Sequence, residues 1–308
     1  MVNAPAFSRL IVRLPNWVGD VCMALPAIAL LHEAGIPLTL VGRGWIRDLL
    51  AGCDLPLAAL PKGVFAAAKT LRTLDARDAL LFTNSFGSAF AMRWAGLSAT
   101  GYRHECRSLL LGQSLHKIPG IHESEAFWRL AQAVLARRGL SPGPALPPDA
   151  HLPLHPRHHD EATAALAKAG IRGKYFLLCP FATGTIKGRS KAWPAFPLLC
   201  RMLMDQGATV LACPGPGEEA ACAAALPGAT SIPGLGLGAY AVLMAQAQQV
   251  VANDSGPMHL AAAVDASVLG IFGLTDPQRT RPWSQRAKII GDARGFPAIQ
   301  TVWKAMQS

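Results

Sequence analysis

Residues 250–264 read V250-V-A-N-D-S-G-P-M-H-L-A-A-A-V264. The apolar run at 250–252 predicts a buried strand. It stops at Asn253-Asp254-Ser255-Gly256, and 257–263 then predict a helix. Asp254 or Ser255 can cap that helix, and Pro257 stands near its first position, where a missing N–H costs little. A strand feeding a glycine turn and a helix N-terminus presents free backbone N–H groups and a positive dipole end. The stretch is therefore expected to hold a phosphorylated ligand.

The same strand–turn–helix unit recurs along the chain. Strands are expected at 9–14, 37–41, 79–83 and 100–103. Helices are expected at 21–33, with Pro26 kinking it or delaying its start, and at 44–51, 64–74, from 86 to 96 and 124–138. Residues 141–157, SPGPALPPDAHLPLHPR, break the pattern with six prolines, which sit poorly in helix or sheet interiors. The alternation restarts with helices at 158–169, 196–206, 218–225 and 239–247, and strands at 174–179, 208–213 and 267–272. This alternation predicts an α/β chain with two parallel, doubly wound, Rossmann-like domains facing across a cleft. The expected domains are 1–150 and 151–308, with the last residues packing back on the first domain. Ligands in such sheets collect at the carboxyl ends of strands.

Composition agrees. Hydrophobic residues make up 51% of 308 and charged residues 16%, which suits sheets buried on both faces. The net charge is +10, with 15 Lys and Arg against 10 Asp and Glu in residues 1–150 and 14 against 9 in the remainder. An evenly spread positive charge suits an anionic ligand or an acidic membrane surface. No nucleic-acid recognition motif accompanies it. Seven scattered cysteines without a C-x-x-C pair predict a reduced, cytosolic chain. No signal segment and no membrane span are expected.

Several blocks are longer than these patterns require. They are R13-L-P-N-W-V-G-D20, M23-A-L-P-A27, T83-N-S-F-G-S-A89, T100-G-Y-R-H-E-C-R107, K191-A-W-P194, N253-D-S-G-P-M-H-L-A-A-A263 and F272-G-L-T-D-P277. In this order they resemble the ADP-heptose:lipopolysaccharide heptosyltransferases of glycosyltransferase family 9. The resemblance implies a GT-B fold with an N-terminal acceptor domain and a C-terminal domain for the nucleotide-sugar donor. It implies a cytosolic enzyme at the inner membrane, and inverting transfer of heptose from an ADP-sugar to the anionic inner core of lipopolysaccharide.

Asp20, after Gly19 at a helix start, reads from its residues as an N-cap. The resemblance makes it the general base for the acceptor hydroxyl. No D-x-D sequence occurs, so no metal and no cofactor is expected, and cations and N–H groups must meet the leaving diphosphate. Lys191 is the expected cation, with Lys187 and Arg189 reading better as a solvated loop. Ser255 and Gly256 are expected on the phosphates, with Asp254 orienting the loop or touching the sugar. His259 is either turned to the site or packed on the alanine face. Thr183, Gly184 and Thr185 form a second donor-side loop. Glu218 or Glu219 contacts donor hydroxyls or fills a helix first turn. Thr275 and Asp276 lie near the nucleotide or cap a final turn. On the acceptor side stand Asn84, Ser85, Arg103, His104 and Arg107, the arginines suited to carboxylates and phosphates; the alternative for Arg107 is a solvated basic face.

His151, His155, His158 and His159 with Asp160 and Glu161 straddle the proline-rich stretch at spacings that fit no closed metal set. Ser255 lacks a G-x-S-x-G elbow, which argues against a serine hydrolase. An epimerase, a hydrolase or a transferase of another sugar on the same fold, and a non-catalytic ADP-sugar-binding protein, are the competing readings.

Overall fold

A computed structural model describes residues 7–182, 185–186 and 188–307. The chain divides into two units: Met1–Arg47 with Asp54–Pro147, and Asp48–Cys53 with Pro148–Ser308. The long division falls inside the proline-rich stretch. The short excursion at Asp48–Cys53 had no sequence signal.

The first unit holds strands β1 (Leu10–Arg13), β2 (Leu38–Gly42), β3 (Leu57–Ala59), β4 (Asp78–Leu81), β5 (Ser98–Tyr102) and β6 (Gln113–Leu115). They form one sheet in the order β3-β2-β1-β4-β5-β6, with every pairing parallel. Its helices are α1 (Val18–Glu33), α2 (Ile46–Leu49), which runs on into the excursion, α3 (Val64–Arg72), α4 (Phe86–Trp94) and α5 (Glu123–Arg137). β1 and β2 are almost entirely buried. This is why they read as unbroken apolar runs: parallel strands are covered on both faces.

α1 begins at Val18, earlier than expected, with Trp17 as N-cap and Pro26 buried inside the helix. Asp20 is therefore a first-turn residue and not the cap. The turn before α1 is held by Arg13, whose guanidinium donates to Asn16 Oδ1 (2.8 Å) and to the Leu14 carbonyl (2.5 Å). At the other end Gly35 takes φ +75°, a left-handed stop that favours glycine.

The second unit repeats the plan. Its strands are β7 (Phe176–Cys179), the short pair β8 (Thr185–Ile186) and β9 (Arg189–Ser190), then β10 (Val210–Ala212), β11 (Thr230–Ser231), β12 (Gln249–Asn253), β13 (Val268–Ile271) and β14 (Lys288–Ile290). The main sheet runs β11-β10-β7-β12-β13-β14, all parallel. Around it lie α6 (Pro156–Lys168), α7 (Phe196–Asp205), α8 (Glu219–Ala225), α9 (Leu237–Gln246), α10 (Gly256–Ala263), α11 (Pro277–Thr280) and α12 (Ile299–Gln307). The core on one face gathers Leu199 and Leu203 of α7, Val251, Leu269, Ile271 and Val302 of α12. The C-terminal helix packs within its own unit, on α7, where its apolar stripe finds a partner.

Asp48 is built into the second unit. Its Oδ2 accepts the Gly238 N–H (3.0 Å), and its Oδ1 lies 3.2 Å from Arg157 Nη2 and 3.3 Å from Nε2 of the buried His158. His155 and His158 form the capping box that starts α6. These histidines hold a helix end, and burial pushes the His158 imidazole below its usual range.

All seven cysteines are free. Burial raises Cys53 to about 11 and Cys179 to about 12. Cys22 is pushed up by burial and then by the charge of Asp20. A thiol whose pKa is raised stays protonated and unreactive at neutral pH. The exposed Cys106 is expected to be the single fast-reacting thiol of the native protein. Ellman's titration checks this: Cys106→Ser should abolish the fast phase and leave the slow ones.

Candidate active site

In both main sheets the strand order reverses between the sheet's first and fourth strands in chain order: β1 and β4, then β7 and β12. Loops at the carboxyl side of such a reversal diverge and leave a crevice, where doubly wound sheets bind ligands. The residues singled out from sequence fall largely on these loops.

In the second unit three loops converge on one carboxylate. Lys191 Nζ lies 2.9 Å from Asp254 Oδ2, and Thr275 Oγ1 donates to the same oxygen at 2.6 Å. The Asp254 side chain is 8% exposed and that of Lys191 20%, so little water competes for the pair. One loop follows β7, one β12 and one β13. Beneath them Asn253 is fully buried. Its Oδ1 accepts the Trp193 N–H (2.9 Å) and its Nδ2 donates to the Pro180 carbonyl (2.5 Å). The Trp193 indole N–H in turn donates to the Pro297 carbonyl (3.0 Å). Asn253 thereby ties both ends of the β7 loop to β12 and sets where Lys191 starts. Sequence reasoning passed over it as the end of an apolar strand. Its only signal was a polar amide closing a buried run.

Asn253→Ala would strand the Trp193 N–H and the Pro180 carbonyl in a dry interior. We expect a loss of about 2–4 kcal/mol in stability, read as a lower urea midpoint with an unchanged slope.

The helix end differs from expectation. Ser255 occupies the N-cap position of α10 but makes no side-chain cap bond; its hydroxyl donates to the Asn253 carbonyl (3.2 Å). Asp254 is committed to Lys191 and Thr275. Neither residue caps, because each has a nearer partner. At the start of α10 Pro257 has no N–H and the Met258 N–H is held by the Ser255 carbonyl (3.1 Å), so the turn offers the Gly256 N–H; with the Lys191 ammonium it makes a small set of donors suited to phosphate oxygens. His259 is buried, one turn along α10.

The remaining donor-side residues divide. Glu218 Oε2 accepts the Gly215 N–H (3.0 Å) and clamps its own loop, while Glu219 is exposed in the first turn of α8. Asp276 caps α11 by accepting the Gln278 N–H (3.0 Å). Arg189 is exposed in β9. Thr185 lies in β8; Thr183, Gly184 and Lys187 lie outside the described residues.

In the first unit, Asp20 sits in the first turn of α1 after β1, half-buried beside the buried Gly19. After β4, Ser85 caps α4, accepting the Ser88 N–H at 3.3 Å, and Asn84 is exposed. Arg103 and His104 are exposed beyond β5. Arg107 overturns its expectation: it is completely buried, so it is neither a solvated basic face nor an open anion contact. Its Nη1 donates to the Thr83 carbonyl (2.8 Å) and to Asn84 Oδ1 (3.3 Å). It shapes the Asn84 loop from behind.

Among the described residues no group of three or more His, Cys, Asp or Glu could hold a metal ion.

The comparisons with known proteins match this layout. A family profile described as glycosyltransferase family 9 (heptosyltransferase) matches residues 64–302. The lipopolysaccharide heptosyltransferase 2 of Escherichia coli K12 is 25% identical over 95% of this chain and 90% of its own. The lipooligosaccharide heptosyltransferase 2 of Haemophilus influenzae is 28% identical over 90% and 86%. Among solved structures, that of E. coli heptosyltransferase WaaC with ADP superposes with a TM-score of 0.75 at 19% identity, covering 97% of this chain and 99% of that one. The two parallel-sheet units are those of a GT-B fold. With a family match over most of its length, the chain belongs to glycosyltransferase family 9, the heptosyltransferases.

Proposed function

We propose that this glycosyltransferase moves a heptose from ADP-heptose to the inner core of lipopolysaccharide, as heptosyltransferase II does. The observation that carries the reading is the meeting of Lys191, Asp254 and Thr275 from three loops over an uncapped helix end. The relatives' names supply the sugar and the acceptor.

The second unit binds the donor. Lys191, the Gly256 N–H at the start of α10 and the Ser255 hydroxyl take the diphosphate. Asp254 uses one donor of the ammonium and fixes its position, leaving two for the ligand. Thr275 holds Asp254 in turn. The loop of Thr183, Gly184 and Thr185 with Glu218 serves the sugar and ribose hydroxyls. The first unit binds the acceptor: Arg103 and His104 meet its anionic groups, with Asn84 and Ser85 beside them.

Transfer is a single displacement. As the acceptor oxygen bonds to the anomeric carbon, its proton passes to Asp20 and the bond from that carbon to the diphosphate oxygen breaks. ADP leaves with its charge met by Lys191 and α10. The acceptor enters opposite the leaving group, so the anomeric centre inverts. The reaction takes place on the cytoplasmic side, where the acceptor is held in the inner membrane and the protein attends it as a peripheral visitor.

Mass spectrometry of a one-heptose, deep-rough acceptor after incubation with ADP-heptose tests the reading. The expected product is heavier by one heptose. Donor consumed while the acceptor mass stays unchanged would favour a nucleotide-sugar hydrolase or epimerase instead.

A further inference from the structure

The outer side of α4 is aromatic. Phe86, Phe90 and Trp94 recur every fourth residue and so stack along one face of the helix. Ring centroids lie 6.2 Å apart for Phe86–Phe90 and 5.8 Å for Phe90–Trp94, both pairs near parallel. Phe65 of α3 meets the ladder edge-on, 6.1 Å from Phe90 and 5.6 Å from Trp94. These rings are not core. Phe65 is 64% exposed, Trp94 51% and Phe86 49%, while Ala89 and Met92 of the same helix are buried. Leu109, on the 3-10 turn that packs against α4, is 88% exposed. A contiguous apolar patch of this kind marks an interaction site.

Its charge is one-sided. Neither α3 nor α4 contains an Asp or Glu, whereas Lys69, Arg72 and Arg93 are exposed on them and Lys62 precedes α3. Arg72 Nη2 donates to the Trp94 carbonyl at 2.6 Å, which sets a cation beside the exposed indole. The ladder begins at Phe86, the residue after the Asn84–Ser85 loop.

We propose that this aromatic–basic face is the surface by which the protein docks on an anionic lipid bilayer. Aromatic rings settle at headgroup level, with an apolar body inside and an edge in water. Lysine and arginine flank them where lipid phosphates lie. Two copies of a face whose two helices carry only basic charges would repel, which argues for lipid over self-association. The position next to the acceptor loop rests on the reading above; binding itself needs no sugar.

The test is co-sedimentation of the full chain with phosphatidylcholine vesicles, with and without phosphatidylglycerol. The expected result is binding to the anionic vesicles, weakened by salt. Phe65→Ser with Trp94→Ser should weaken it at least about tenfold. Lys69→Ala and Arg72→Ala should each weaken it about fivefold. Both sets should transfer normally to a soluble, delipidated acceptor. Absence of binding by the wild-type chain, or unchanged binding by both sets, would overturn the proposal. So would a dimer in sedimentation velocity that the Phe65/Trp94 pair dissociates, which would give the face to a second copy. Vesicle binding that persists in a protein with no transfer activity would defeat the functional reading and leave the docking face standing.

Discussion

Asp20→Ala is expected to lower kcat by about 10²–10⁴ while leaving ADP affinity unchanged, because the carboxylate acts on the acceptor proton and not on the donor. Asp20 lies in the first turn of α1, and proton transfer to it is productive as the new bond forms and the hydroxyl acidifies. Asp20→Asn keeps the shape and the helix and loses the basicity, so its activity should match that of the alanine variant. Calorimetric titration with ADP and initial rates with saturating acceptor read the two halves of the prediction. Loss of ADP binding in Asp20→Asn would move this residue from acceptor chemistry to folding.

Lys191→Ala carries the second large effect. Removing one fixed donor from a leaving-group site costs about 10²–10³ in kcat. Here the variant does a second harm: Asp254, 8% exposed, loses its ion-pair partner while keeping the Thr275 hydroxyl. We expect a stability loss of about 1–3 kcal/mol in Lys191→Ala. Asp254→Asn on that background should recover most of the stability and none of the rate. The two positions share an ion pair, so their effects should not add in a double-mutant cycle. Urea midpoints and single-turnover rates on the four proteins separate the structural part from the chemical part. Recovery of rate in the double variant would mean that Lys191 served only to neutralise Asp254.

Much of this was legible in sequence, for physical reasons. β1, β2, β12 and β13 are covered on both faces, so their burial shows as uninterrupted apolar runs. Several of the blocks that resemble the family begin at the turns after β1, β12 and β13. Edge strands escaped. β3 and β11 are three and two residues long and are fixed by pairing with a neighbour, which local pattern does not encode. The start of α1 was placed three residues late because Gly19 and Asp20 read as a turn and a cap; the helix begins at Val18 and accommodates Pro26 inside it.

The site divides in the same way. Lys191, Asp254 and Thr275 were each visible as polar residues after strands, but their convergence is tertiary. Arg107 was misread because arginine on a turn suggests solvent, and only the fold reveals that it is buried against Thr83 and Asn84. The Asn253 tie was invisible for the opposite reason, since a buried amide looks like the end of a strand. Ser255 and Asp254 looked like caps because capping is the local default for those residue types; here the Ser255 hydroxyl turns back to the Asn253 carbonyl and Asp254 to Lys191 and Thr275.

The most direct test of the whole account is the rate of ADP release from ADP-heptose, measured on the wild-type protein with and without a one-heptose lipopolysaccharide acceptor. The account predicts slow release alone, strong stimulation by the acceptor, and loss of that stimulation in Asp20→Asn. Release that is equally fast without acceptor, or stimulation that survives in Asp20→Asn, would contradict it.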